Sequence, residues 1–122
     1  MVFTNVGKAA IALMMATGSG VHPRYAAIGS GSGTALATQT ALTAEISGLR
    51  TDYTSFDSGT TQQIEWTHDF NSVKMSGITM NEFALFSNLT FESGTMFSRV
   101  GFENVEFDGS NELQLQIRFE TY

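Results

Sequence analysis

The side chains able to do chemistry are few and widely spaced. The two histidines, His22 and His68, stand far apart in the chain. Neither has the i,i+4 or similar partner that marks a metal site. His68 falls on the apolar side of an alternating run, where a histidine is ordinarily a satisfied core residue, so neither catalysis nor metal binding is expected of it. Glu65, Asp69, Glu82, Glu92, Glu103, Glu106 and Glu112 are scattered. They form neither a D-x-D-x-D-G calcium loop nor an evident carboxylate pair for glycoside cleavage. Gly29-Ser30-Gly31-Ser32-Gly33 offers glycines and hydroxyls together. A phosphate loop, however, needs a following Gly-Lys-Ser/Thr, and a nucleophile elbow needs a strand-to-helix setting. The next lysine downstream is Lys74, so the segment reads as a surface turn. Asn88-Leu89-Thr90 matches a glycosylation sequon only at chance level. No catalytic, metal or cofactor site is expected. Glu82 stands apart because it leads into the apolar run Phe83-Ala84-Leu85-Phe86. A carboxylate drawn into a core needs a cation, and the expectation is a structural ion pair with Arg50 or Arg99.

The elements that must position these residues are mostly strands. Glu112 to Tyr122 alternates throughout, with Leu113, Leu115, Ile117 and Phe119 on one side and Glu112, Gln114, Gln116, Arg118 and Glu120 on the other. A period of two over that length predicts a half-buried strand. Ile64, Trp66, His68 and Phe70 alternate in the same way with Gln63, Glu65, Thr67 and Asp69. Further strands are predicted over Val21–Ile28, Val73–Met80, Phe83–Phe86, Thr95–Phe102 and Val105–Phe107. Asp108-Gly109 is read as the turn of a hairpin into the last strand. Thr34–Ile46 is read as a short helix or an extended arm. One helix is predicted at the N-terminus, from Asn5 as its cap to Thr17, ended by Gly18 and Gly20. Its centre, Ala9–Ala16, is apolar nearly all round. That stretch is far shorter than the roughly 20 residues a bilayer crossing requires. The expectation is a retained, short, buried helix and not a leader peptide. It either plugs an open end of the sheets or docks on a neighbour.

A chain of 122 residues is read as a single domain, 1–122, with helix and cap over 1–20 and a sandwich over 21–122. The fold class is mainly β: an antiparallel β-sandwich, jelly-roll-like, with one short N-terminal helix. Ten phenylalanines and six methionines supply its core volume. There is no cysteine, so the fold uses no disulfide. The formal net charge of −6 has the wrong sign for a phosphate backbone, and neither nucleic acid nor membrane is an expected partner. Charged residues make up only 15% of the chain, against about 25% in ordinary globular proteins. A surface so poor in charge fits a protein packed against others.

Two stretches carry a resemblance. Tyr25-Ala26-Ala27-Ile28-Gly29-Ser30-Gly31-Ser32-Gly33 is followed by Thr40-Ala41-Leu42-Thr43-Ala44-Glu45-Ile46 and Arg50. Asn81-Glu82-Phe83-Ala84-Leu85-Phe86 is followed by Gly94-Thr95-Met96-Phe97-Ser98-Arg99. Together they resemble small virion structural proteins of tailed bacteriophages, although Ala84 stands where that pattern has glycine. The resemblance implies a β-sandwich subunit of the virion with no enzymatic activity. It points first to a capsid decoration protein bound to the major capsid protein. A tail, baseplate or fibre-adaptor component comes second; outside the resemblance, the third reading is a cellular carbohydrate-binding or other β-sandwich module, with Trp66 and Tyr53 as its aromatic candidates. A homo-oligomer, trimer or hexamer, is expected of the virion subunit. Partner contacts are expected from the helix, at Val6, Ile11, Leu13, Met14 and Met15, and from a mobile loop at Gly29, Gly31 and Gly33.

Overall fold

The computed structural model describes residues 1–58 and 63–120. Its elements in chain order are β1 (Val2–Phe3), α1 (Asn5–Thr17), β2 (Tyr25–Gly29), β3 (Thr51–Asp52), β4 (Ser55–Asp57), β5 (Gln63–Phe70), α2 (Ser72–Met75), β6 (Thr79–Phe86), β7 (Met96–Glu106) and β8 (Leu113–Glu120). They build a five-stranded sheet in the order β1-β7-β6-β2-β3 and a three-stranded sheet in the order β4-β5-β8. All of the pairings are antiparallel. The fold is mainly β and sandwich-like, although the strand order does not establish a jelly roll.

The two alternating runs pair with each other. β5 and β8 keep one register from Gln63↔Glu120 to Phe70↔Leu113, which places Trp66 opposite Ile117 and His68 opposite Leu115. Leu115 and Ile117 are buried while Gln114, Gln116, Arg118 and Glu120 are exposed, as alternation requires. Thr121 and Tyr122, the end of the predicted strand, lie outside the described residues. Between the sheets, Ala26, Ile28 and Met80 meet Phe70 and Leu115, with Leu49, Met75 and Phe107 closing one end. A second, smaller cluster of Ala27, Leu42, Ala84, Phe86 and Met96 lies on the outer face of the larger sheet. The segment between β2 and β3 covers that face.

Several expectations change: the strand expected over Val21–Ile28 begins at Tyr25, and those expected over Thr95–Phe102 and Val105–Phe107 are one strand, β7. Val73–Met80 is not one strand. Asn71 accepts a hydrogen bond from Lys74 N–H at 2.8 Å and starts the single-turn α2, and β6 begins only at Thr79. Asp108-Gly109 does not make a hairpin, because β7 and β8 belong to different sheets. Phe107 continues the larger sheet's pairing to Gly77 and Ile78, and Gly109, at φ 95°, then turns the chain across to the other layer. Thr34–Ile46 is irregular, held to β2 through a bridge between Gly29 and Glu45. The N-terminal helix, finally, is not buried.

That helix begins one residue earlier than expected at its cap. Thr4, not Asn5, is the N-cap, its hydroxyl accepting from Gly7 N–H at 3.0 Å. Gly18 closes the helix in the left-handed conformation, at φ 72°, with its N–H on Met14 O. Gly7 is the helix residue that is fully buried, and a Cβ there would come within 2.7 Å of Phe97 Cα. So close an approach lays α1 directly on β7. β1 pairs with β7 just before it, so the N-terminal segment joins the sheet through Val2 and Phe3 and packs on it through α1.

Candidate functional site

Two clusters differ in kind from the rest of the molecule, one polar and closed, the other apolar and open. The polar one lies on the outer face of the five-stranded sheet. Glu82, on β6, and Arg99, on β7, are both fully buried and paired, Arg99 Nε donating to Glu82 Oε1 at 2.9 Å. Glu82 also accepts backbone N–H bonds from Gly31 at 2.9 Å, Thr43 at 2.9 Å and Ala44 at 2.8 Å. Burial pushes its carboxyl up, but these four donors outweigh that and hold it below its ordinary value. Close approach requires glycine here, since a Cβ on Gly29 would sit 2.7 Å from Ala44 O. At Gly31 a Cβ would collide with the Glu82 carboxylate. Beside this pair, Arg50 grips Glu45 through Nε and Nη2, at 2.7 and 2.8 Å. It also donates to Asn88 O and Ser93 O and lies 3.8 Å above the Phe86 ring.

The predicted ion pair is therefore Glu82 with Arg99, and Arg50 takes a different partner, Glu45. The loop expected to be mobile and exposed is buried at Gly29 and Gly31, where its backbone cradles Glu82. Of its three glycines Gly33 is the exposed one, its carbonyl accepting from Arg99 Nη1 at 3.3 Å. Nearly every charged residue in the two stretches that carry the resemblance, Glu45, Arg50, Glu82 and Arg99, belongs to this network. Those residues fasten a long irregular segment to a sheet. Every charge of the cluster is paired inside the protein.

The apolar cluster lies between the sheets at the end under α1. Ile11 and Met14 of α1 face inward there, as do Phe3, Leu85, Phe97 and Ser98 from the larger sheet. Phe56, Ile64, Trp66, Ile117 and Phe119 face them from the smaller sheet, with His22, Pro23 and Tyr53 at one side. With Met1 at the edge, they line a half-open pocket of about 510 Å³. Ser98 Oγ is buried and has no hydrogen-bond partner. Further into the layer His68 is fully buried, its Nε2 2.8 Å from Arg24 O and its Nδ1 unpartnered. Burial pushes its pKa down, so the ring is neutral, with Nε2–H as donor. At the rim Arg24 forks onto Asp52 with two 2.8 Å bonds and lies over the rings of Tyr25 and Tyr53.

α1 thus separates the expected contact residues. Ile11 and Met14 line the pocket, whereas Val6, Leu13 and Met15 are 38%, 57% and 81% exposed. Sequence reasoning missed the pocket, although the pairing of two aromatic-rich alternating faces was its visible signal. Among the described residues no group of three or more His, Asp or Glu is placed to hold a metal, and no helix is long and apolar enough to cross a membrane. No protein-family model, curated protein or solved structure matches the chain.

Proposed function

We propose that this chain is a non-enzymatic structural subunit of a tailed-bacteriophage virion, a capsid decoration protein that stabilises the particle through protein–protein contacts. The observation that carries the reading is the outward side of α1. Leu13 and Met15 stand 57% and 81% exposed on a helix whose opposite side is fixed against β7. Exposed apolar side chains on a rigid element are suited to burial against a partner. The low charge content and the resemblance of residues 25–50 and 81–99 to small virion proteins support the same reading. The partner is the major capsid protein, the subunit acts as a homo-oligomer, and many modest interfaces sum over a lattice. A tail, baseplate or fibre-adaptor subunit is the second reading, because it would use the same face. Tyr53 and Trp66 do share the pocket, as a sugar site would require, but its wall is predominantly apolar, so a glycan array is expected to show no saturable binding.

Quantitative mass spectrometry of purified virions, scaled to the major coat protein, tests the proposal. On the order of hundreds of copies is the expected result, whereas a small multiple of three or six would move the subunit to the tail. Absence from the particle would overturn both virion readings.

A further inference from the structure

We infer that the pocket beneath α1 is a binding site for a small neutral apolar molecule that carries one hydrogen-bonding group. Protein interiors pack to a density of about 0.74 and leave few voids larger than a water molecule. A space of about 510 Å³ between two sheets is instead of the size that small ligands occupy, roughly 300–1,000 Å³. Its wall is aromatic and aliphatic from both layers, with Phe97 and Leu85 facing Trp66 and Phe119 and α1 supplying Met14. One buried polar atom in that wall lacks a partner. Ser98 is only 3% exposed, lies among the lining residues, and its Oγ makes no hydrogen bond. A buried hydroxyl is normally satisfied, and a ligand hydroxyl or carbonyl at this point would satisfy it.

The charges argue for a neutral ligand. Arg118, at the rim, already donates to Glu65 at 3.2 Å and Glu120 at 3.3 Å, so one guanidinium faces two carboxylates. Apart from Met1 and His22 at its edge, the rest of the lining is apolar or uncharged, so a carboxylate drawn into the apolar wall would lie unpaired. The class is therefore a long-chain alcohol, ester or similar neutral lipid, and not a fatty acid. This inference is independent of the virion reading.

The full-length protein provides its own reporter, since Trp66 is the one tryptophan and lines the pocket. Energy transfer from Trp66 to the neutral probe N-phenyl-1-naphthylamine is expected to saturate at one probe per chain. Dodecanol should then displace the probe at a concentration about tenfold lower than dodecanoate, because a carboxylate would enter the apolar wall unpaired. Ile64→Phe, which narrows the space, should weaken binding several-fold with an unchanged circular dichroism spectrum. Ser98→Ala should weaken dodecanol about 3- to 10-fold while raising the melting temperature of the free protein, since it removes an unpartnered hydroxyl. A purely structural serine would not move both readings in those directions. Failure of the wild type to bind saturably, equal displacement by dodecanoate, or full affinity in a folded Ile64→Phe protein would overturn the assignment. Should Ile64→Phe fail to fold, an unchanged dodecanol affinity in Ser98→Ala would do so as well.

Discussion

The two faces of the five-stranded sheet solve opposite problems. On the outer face, Glu82, Arg99, Arg50 and Glu45 are buried with their charges paired, and the backbone of residues 29–44 supplies the remaining donors. On the inner face, under α1, apolar side chains from both sheets leave about 510 Å³ between them and one serine hydroxyl without a partner. On the closed face the four buried charges are all paired within the chain and fasten the irregular segment to the sheet. The end under α1 has apolar side chains, space and an unused hydrogen bond. The exposed apolar side chains and the unpaired hydroxyl therefore lie at α1 and beneath it, while the buried charges of Glu45, Arg50, Glu82 and Arg99 lie on the other face.

The largest effect should come from breaking the closed face. Glu82→Ala leaves Arg99 buried without a counter-charge and strands three backbone N–H groups, and it is expected to cost about 3–5 kcal/mol in chemical denaturation. Next in size is Arg50→Lys. A lysine keeps the charge but cannot reproduce the fork onto Glu45 or the stacking on Phe86, so a loss of about 2 kcal/mol is expected. A loss under 0.5 kcal/mol for either variant would mean that the network is not what holds the irregular segment.

The smaller effect is one of pH. Because burial holds the native His68 pKa below its ordinary 6.5, both native and unfolded chains are neutral there above that pH and His68 contributes no slope. Below about 6.5 the unfolded chain takes up a proton that the native chain refuses, so stability falls as the solution is acidified. Glu82, whose native pKa is also lowered, adds a further loss once the pH drops below its ordinary 4.5, because protonation removes the carboxylate its donors require. His68→Leu should flatten the decline between these two values in urea titrations across pH. Persistence of the same decline would place the titrating group elsewhere.

What could be read from the sequence was what depends on neighbours in the chain. The alternation of Leu113 to Phe119 fixes which face is buried wherever the strand lies, and Gly18 ends a helix whatever covers it. Glu82 was recognisable because a carboxylate beside an apolar run must be paired. Its choice of Arg99 over Arg50 depends on the β6–β7 register, which no local pattern encodes. The burial of Gly29 and Gly31 was hidden for a related reason: a Gly-Ser segment looks the same whether it bends in solvent or wraps a carboxylate. The helix was misjudged because it is apolar on every side, so the sequence carries no stripe to say which side meets β7 and which stays bare. The pocket belongs to neither strand alone and emerges only when both sheets and α1 are brought around one space.

The central claim is that contact with a partner runs through the outward face of α1 and not through the polar network. Leu13→Glu with Met15→Glu changes two exposed positions and is expected to alter folding stability by no more than about 0.5 kcal/mol. Binding of this double variant to particles that lack the native subunit, measured beside the wild type, tests the claim most directly. Loss of particle binding with an unchanged denaturation midpoint is the predicted result, and binding at the wild-type level would contradict it.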